Sequence, residues 1–467
     1  MPYINELADK SSHSDIVNNP DVKTFLNECK YMIAPLDDGS DAIRNMFLNV
    51  EDTLLHLPDN IISIDGTNYE AYVRKDIPST RVGYVKVGNL LIKRNMFKSL
   101  QNGGRFINPF KVSELKENNQ AATFTFPSSN IQYGGEKSVR DGFRLALENH
   151  LKNYMSDPGN IKTSLRSTLF KLASYRDAQH AVGNVIFIHK CPNCGAASIP
   201  VYDVPEQQYC PNCNGKVYPT DCLRIWEEIG DNVSNQSALT RFMNVIEHLF
   251  VVHYIRVIVE TNPQSFANAL QNLCFFVDGP LAIFGNAAWI HASILKYLEE
   301  INQKLRSLNK PDIMIIGLIK SGEVHDYFQL ISKYVPNGSI YCLEDTVRFK
   351  NIVYNDAPPQ NFGNETYYGQ DFLFKTSNGR SFLFNIPYPC GNKGKASEFK
   401  KFKENINNYK NIWTYTTLIE DFECDLYENS VVPIALAHRY TAISLEPGSR
   451  VLDLLSKSGV CDNNSTK

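Results

Sequence analysis

Four cysteines fall in two matching tetrapeptides, Cys191-Pro192-Asn193-Cys194 and Cys210-Pro211-Asn212-Cys213, with fifteen residues between them. Two CxxC knuckles at that distance have the ligand spacing of a zinc ribbon. Four thiolates close a tetrahedron and leave no position for substrate, so the expected Zn2+ is structural. A thioredoxin-like redox centre would use one CxxC, not two. Zinc in such a site contributes on the order of 10 kcal/mol to folding.

A second kind of chemistry is marked by carboxylates at the ends of apolar runs. Ile61-Ile62-Ser63-Ile64-Asp65-Gly66-Thr67 and, far downstream, Phe275-Phe276-Val277-Asp278-Gly279-Pro280 each read as a buried strand ending in Asp-Gly. A buried carboxylate needs a cation, a hydrogen-bonding partner or a proton. Two such strand ends side by side would suit a phosphodiesterase site holding two divalent ions about 4 Å apart. Asp-Gly is also a common turn dipeptide, and it is the repetition that favours function.

Glu247 interrupts the apolar stripe Leu239, Phe242, Met243, Ile246, Leu249 and Phe250. It lies on the same side of that helix as Met243 and Phe250. A glutamate there is either a site ligand or half of a salt bridge, although Arg241 and Arg256 do not stand three or four residues from it. Lys320 ends the apolar run Asp312 to Ile319 and could bind a phosphate, or be an ordinary solvated lysine. Arg140 and Arg144 carry the same two readings: tracking DNA or simple exposure. His438 lies in the apolar helix Val432 to Tyr440, where a histidine taken alone reads as a satisfied core residue.

The elements that must position these residues divide the chain. Residues 1–57 read as helical, with a start at Asn19-Pro20-Asp21 and a second helix from Asp41 to Leu55. Residues 58–96 and 237–445 read as one α/β core, a mixed sheet flanked by helices. Residues 97–236 read as an insertion that carries the zinc ribbon at 189–216 and opens with a polar excursion from 97 to 135. Helical spacing returns over 139–154 and 161–175, then again over 237–259 and 285–308. Phe372–Phe384 reads as a hairpin around Asn378-Gly379, residues 411–424 as a further strand, and 446–467 as a frayed tail.

Composition bounds the partners. The chain has 467 residues, 47 basic and 50 acidic side chains, and a net charge of -3. That balance argues against simple coating of duplex nucleic acid but not against basic groups confined to a groove. The first twenty residues hold no apolar run and no run of eighteen apolar residues occurs, so the expectation is a cytoplasmic protein without a membrane span. Seven cysteines outside the cluster read as reduced thiols. GxxxxGK[ST] is absent, so the chain carries no ATP motor of that type.

With Asp65, Glu247, Asp278 and His438 in this order, the sequence resembles the NurA family of DNA-end-processing nucleases. The matching pieces are Ile64-Asp65-Gly66-Thr67, Val277-Asp278-Gly279-Pro280, Ile316-Gly317-Leu318-Ile319-Lys320-Ser321 and the segment Pro433 to His438. The resemblance implies a ribonuclease-H-like fold, Mn2+- or Mg2+-dependent cleavage of DNA ends, a homodimer, and partnership with a HerA-type hexameric ATPase that translocates DNA. Carried over by position, Asp65 and Asp278 are strand-borne metal ligands, Glu247 the helix-borne carboxylate and His438 the late helical ligand. The zinc ribbon and the long 97–236 segment depart from simpler members, and Glu148, Glu227, Glu228 and Glu260 compete with Glu247. Defence against phage and break repair are both open. Two rival readings are a non-catalytic zinc-ribbon adaptor for DNA or the motor, and a ribonuclease-H-like enzyme acting on RNA or hybrids.

Overall fold

A computed structural model describes residues 13–29, 32, 40–51, 56–74, 76–100, 118–156, 163–176, 184–353, 362–425, 427 and 429–464. Its centre is a mixed sheet of nine strands. In chain order these are β1 (Leu48–Asn49), β2 (Asn60–Arg74), β3 (Ile77–Lys93), β4 (Asn118–Pro127), β5 (Leu273–Asp278), β6 (Met314–Ile319), β7 (Ser339–Cys342), β8 (Gly369–Lys375) and β9 (Ser381–Pro387). They lie in the order β1-β7-β8-β9-β6-β5-β2-β3-β4. The strands β2, β3 and β4 form an antiparallel meander, whereas β5 runs parallel to both β2 and β6. The expected hairpin around Asn378-Gly379 joins β8 to β9, and Gly379 takes the positive φ of +87° that its turn requires.

Parallel central strands must be covered on both faces, and their near-continuous apolar runs reflect that. On one face lie α1 (Val139–Asn153), α2 (Leu165–Ala173), α3 (Gln236–Thr261) and α4 (Trp289–Ser307), packed with Ile64, Val87, Phe124, Phe275 and Val277. On the other lie α5 (Ile412–Phe422) and α6 (Val432–Thr441), packed with Ile61, Leu90, Phe276, Ile316 and Phe384. Of the described helices, α3 alone has the length and apolarity to cross a membrane, and most of it is buried against this sheet.

Several expectations change. The strand read over 411–424 is the helix α5: Ile412, Tyr415, Leu418, Ile419 and Phe422 recur at helical spacing and are all buried. The helix expected from Asp41 to Leu55 stops at Met46, because Leu48–Asn49 pairs with β7 as an edge strand; residues 52–55 lie outside the described residues. Residues 448–464 are not a frayed tail but a helix, α7 (Gly448–Asn464). It is fastened to the β2–β3 hairpin by Asp453, which accepts from the Tyr69 hydroxyl and the Tyr72 N–H, and by Ser456 against the Tyr84 hydroxyl.

The segment 97–236 is also more integral than an inserted module. Within it, β4 pairs with β3 from Val82 to Leu91 and buries Ala122, Phe124 and Phe126, while residues 101–117 lie outside the described residues. α1, α2 and the ribbon cysteines Cys191 and Cys210 share one continuous apolar core with α3 and β5.

Candidate metal centres

The ribbon is built locally. Strands 185–190 and 197–202 form a hairpin with the first knuckle at its tip. In each knuckle the first cysteine donates its N–H across the turn: Cys191 to the Ala196 carbonyl at 2.7 Å, Cys210 to the Gly215 carbonyl at 2.8 Å. Gly195 and Asn214 supply the positive φ that each turn needs. The Sγ atoms of Cys191 and Cys213 lie 3.8 Å apart, as do those of Cys194 and Cys210. A tetrahedron with Zn–S bonds of about 2.3 Å has edges of about 3.8 Å, so the four thiols fit a zinc ion. Burial raises the Cys210 thiol, but the backbone N–H groups of Asn212 and Cys213 and the neighbouring sulfurs outweigh it and bring it down to about 7. Arg144, read as a possible DNA contact, is buried instead. It pairs with Asp221 at 2.7 Å and Asp141 at 2.9 Å, and donates to the Lys216 carbonyl beside the second knuckle. Arg140 stands 3.6 Å from Asp141.

The second centre is assembled from distant segments. Asp65 projects from β2, and Asp278 ends the neighbouring parallel strand β5, one position beyond the Val277–Ile64 register pair. Both carboxylates face α6, which delivers His438. The Nδ1 of His438 lies 3.2 Å from Asp65 Oδ2, and single ligand atoms of Asp65, Asp278 and His438 all fall within 4.8 Å of one another. Lys320, just past the end of β6, places its Nζ 2.7 Å from Asp278 Oδ2. Asp65 is almost fully buried, while half of the His438 side chain meets solvent, so the site opens on the histidine's side.

Glu247 approaches from the opposite face of the sheet. It stands outside that three-residue group, yet close enough that the Asp65 and Asp278 charges act on it. Gly66 permits the approach: a Cβ there would sit 2.7 Å from Glu247 Oε1 and 2.6 Å from Met243 Cγ. The Gly66 N–H donates to the Glu247 carboxyl. The competing glutamates are each held by an arginine: Glu148 by Arg166, Glu227 by Arg224, Glu228 by Arg241 and Glu260 by Arg256. Arg241 and Arg256 are thereby the partners of other residues, not of Glu247.

Crowding of carboxylates is written in their proton affinities. Burial, then the charges of Asp65 and Asp278, push Glu247 well above the usual carboxylate range, against the Gly66 N–H and Lys320. Burial raises Asp278 to about 6, with Lys320 opposing and Asp65 adding to the rise. Asp65 feels burial too, but bonds with His438, Asp278 and Thr441 outweigh it and hold its carboxyl below the usual value. The same Asp65 bond raises His438. Oxygen donors and one imidazole, with surplus negative charge in a buried setting, fit a hard divalent cation such as Mn2+ or Mg2+. Such an ion would displace the shared protons and relieve the crowding.

Supporting residues that sequence reasoning did not single out surround this centre. Asn385, on β9, accepts the Leu281 N–H at 2.8 Å and donates to Asp371, which Arg348 holds from its other side. This buried chain fixes the loop leaving Asp278. Gly317 makes the loop possible, since a Cβ there would lie 2.6 Å from the Gly279 carbonyl oxygen. Thr441 donates to Asp65 Oδ2 at 2.9 Å. None of these supporting residues carried a signal in the linear chain, because their contacts depend on strand register. No family model matches the sequence, and no curated protein matches it, so the centre's own geometry is the ground for assigning function.

Proposed function

We propose that the protein is a metal-dependent nuclease that hydrolyses phosphodiester bonds at DNA ends. The observation that carries this reading is the convergence of Asp65 and Asp278, from adjacent parallel strands, with His438 inside one 4.8 Å group. The buried Glu247 beside them adds a further carboxylate. A ribonuclease-H-like fold agrees with the β2–β3–β4 meander that begins at an acidic strand and continues into parallel strands bearing the second aspartate. Asp65, Asp278 and His438 would hold Mn2+ or Mg2+, with Glu247 the nearest further carboxylate.

Bound there, a divalent ion would activate water and stabilise the departing oxygen. The chain's own residues supply the rest. Lys320, already at the site, offers an ammonium to a backbone phosphate once a cation takes over its pairing with Asp278. His438, half exposed and bonded to Asp65 through one nitrogen, would hold the ion through its other nitrogen or, in the alternative, leave the ion to the carboxylates and pass a proton between the reacting groups and solvent. The four-cysteine cluster, closed by its thiolates, would brace the ribbon rather than react.

DNA ends as substrate, a homodimer and a HerA-type ATPase as partner follow from the resemblance to NurA nucleases. The absence of a GxxxxGK[ST] motor in the chain supports an external translocase. One observation favours the adaptor reading: Glu247 lies outside the group that can share one ion. The test is Mn2+-dependent release of label from end-labelled linear DNA, beside RNA and RNA–DNA hybrid of the same sequence. Release from DNA supports the proposal, preference for the other substrates moves it to ribonuclease chemistry, and no release from any, with or without a HerA-type partner and ATP, favours the adaptor.

A further inference from the structure

Asp65 is held by two side chains of α6, and Thr441 is the one not yet given a role. It lies one turn beyond His438 and is fully buried. Its hydroxyl stands 2.9 Å from Asp65 Oδ2, the same oxygen that His438 approaches at 3.2 Å. Neither bond falls on Oδ1. The hydroxyl also lies 3.1 Å from the Ala437 and His438 carbonyl oxygens, so three acceptors compete for one proton. The ionised carboxylate is the strongest of the three.

The strand opposite Asp65 is shaped for this bond. Gly88 is the cross-strand partner of Asp65 on β3, and a Cβ at Gly88 would lie 2.7 Å from Thr441 Cγ2. A larger residue there would push α6 off the sheet. The absence of a side chain at Gly88 and the hydroxyl at Thr441 therefore act together to set the distance between helix and carboxylate.

We infer that Thr441 is a positioning residue. It ties Asp65 Oδ2 to α6 and so fixes the rotamer in which the carboxylate would meet a divalent ion. This rests on the metal-site reading above, and partners behind a ligand commonly set metal affinity by about 10–100-fold.

The test is titration of the full-length chain with Mn2+, followed by electron paramagnetic resonance of the free ion. Wild type, Asp65→Ala, Thr441→Val, Thr441→Ser and Gly88→Ala are compared. Valine keeps the shape and removes the hydroxyl; it is expected to weaken Mn2+ binding about 10–100-fold with folding intact by circular dichroism. Serine, which restores the hydroxyl, should recover most of the affinity. Gly88→Ala should weaken binding although Thr441 is unchanged, since it displaces α6. Thr441→Val and Gly88→Ala proteins that bind Mn2+ as wild type does, while Asp65→Ala does not, would overturn the inference and leave the metal site standing. Wild type and Asp65→Ala binding alike would overturn the metal site itself, and the inference with it.

Discussion

The two candidate metal centres are built on opposite principles. The four-cysteine cluster takes all its ligands from one short stretch, and two of its thiols are exposed. Turns of a few residues set its geometry, so it needs little from the rest of the molecule. The acidic centre takes Asp65, Glu247, Asp278 and His438 from four elements spread across the chain and buries the first two. Its geometry is a product of sheet register and of where α3 and α6 cross the strands. A local site can be read from spacing, whereas a tertiary site must be read from the fold.

The sharpest way to separate the centres is to remove one and probe the other. Cys191→Ser with Cys194→Ser should abolish zinc binding and remove the metal's hold on the two knuckles. Because Cys191 and Cys210 lie in the main core, thermal unfolding should move to lower temperature. Mn2+ binding at room temperature should persist, since none of the acidic ligands comes from the ribbon. Loss of both metals together would show that the centres are coupled after all.

A smaller effect is expected at Glu247. Its raised proton affinity favours the neutral form in the metal-free protein, which Glu247→Gln mimics. Metal-free stability should therefore stay within about 1 kcal/mol of wild type in chemical denaturation. If the carboxylate joins an ion, the same variant should weaken Mn2+ binding and slow DNA cleavage. Unchanged binding and rate would place Glu247 in a purely structural role.

The gentlest probe is pH. Asp278, raised to about 6, and Glu247, also raised, favour protons in the folded state more than in the unfolded chain. His438, raised by Asp65, acts in the same direction. The share of metal-free stability that these groups supply should accordingly increase as pH falls from about 7.5 to about 5, against the buried His248, His253 and His291, each pushed down to about 4 by burial, which cost stability over the same range. Saturating Mn2+ should remove this share, because ion and protons compete for the same oxygens. In a thermal-melt series without metal, the stability of wild type relative to Asp278→Asn should therefore grow as pH falls, and a constant difference would contradict the raised proton affinity of Asp278.

The sequence carried the strongly periodic parts of the fold. Asp65 and Asp278 were legible because each ends an apolar run long enough to be a buried strand. Residues 411–424 misled because Trp413, Thr414, Tyr415, Thr416 and Thr417 have strong strand preferences, while burial of Ile412, Tyr415, Leu418, Ile419 and Phe422 on one helical stripe decided the outcome. β4 was hidden in polar surroundings, although Ala122, Phe124 and Phe126 alternate cleanly once 101–117 is set aside. α7 was missed because its outer face exposes Val451, Leu454 and Leu455, and its hold on the hairpin comes from polar Asp453 and Ser456. Thr441, Gly88 and Asn385 could not be found from spacing at all. Each matters only through a partner set by register across the sheet.

The most direct test of the central claim is cleavage of end-labelled linear DNA in Mn2+ by the wild-type chain and by the Asp65→Ala, Asp278→Ala double variant, both loaded with zinc. The nuclease reading requires robust release by wild type and roughly a thousandfold less, or lower still, by a variant that melts like wild type, as expected when charge stabilisation in the reacting centre is removed. Equal release by the two proteins would place the active centre elsewhere and contradict the account.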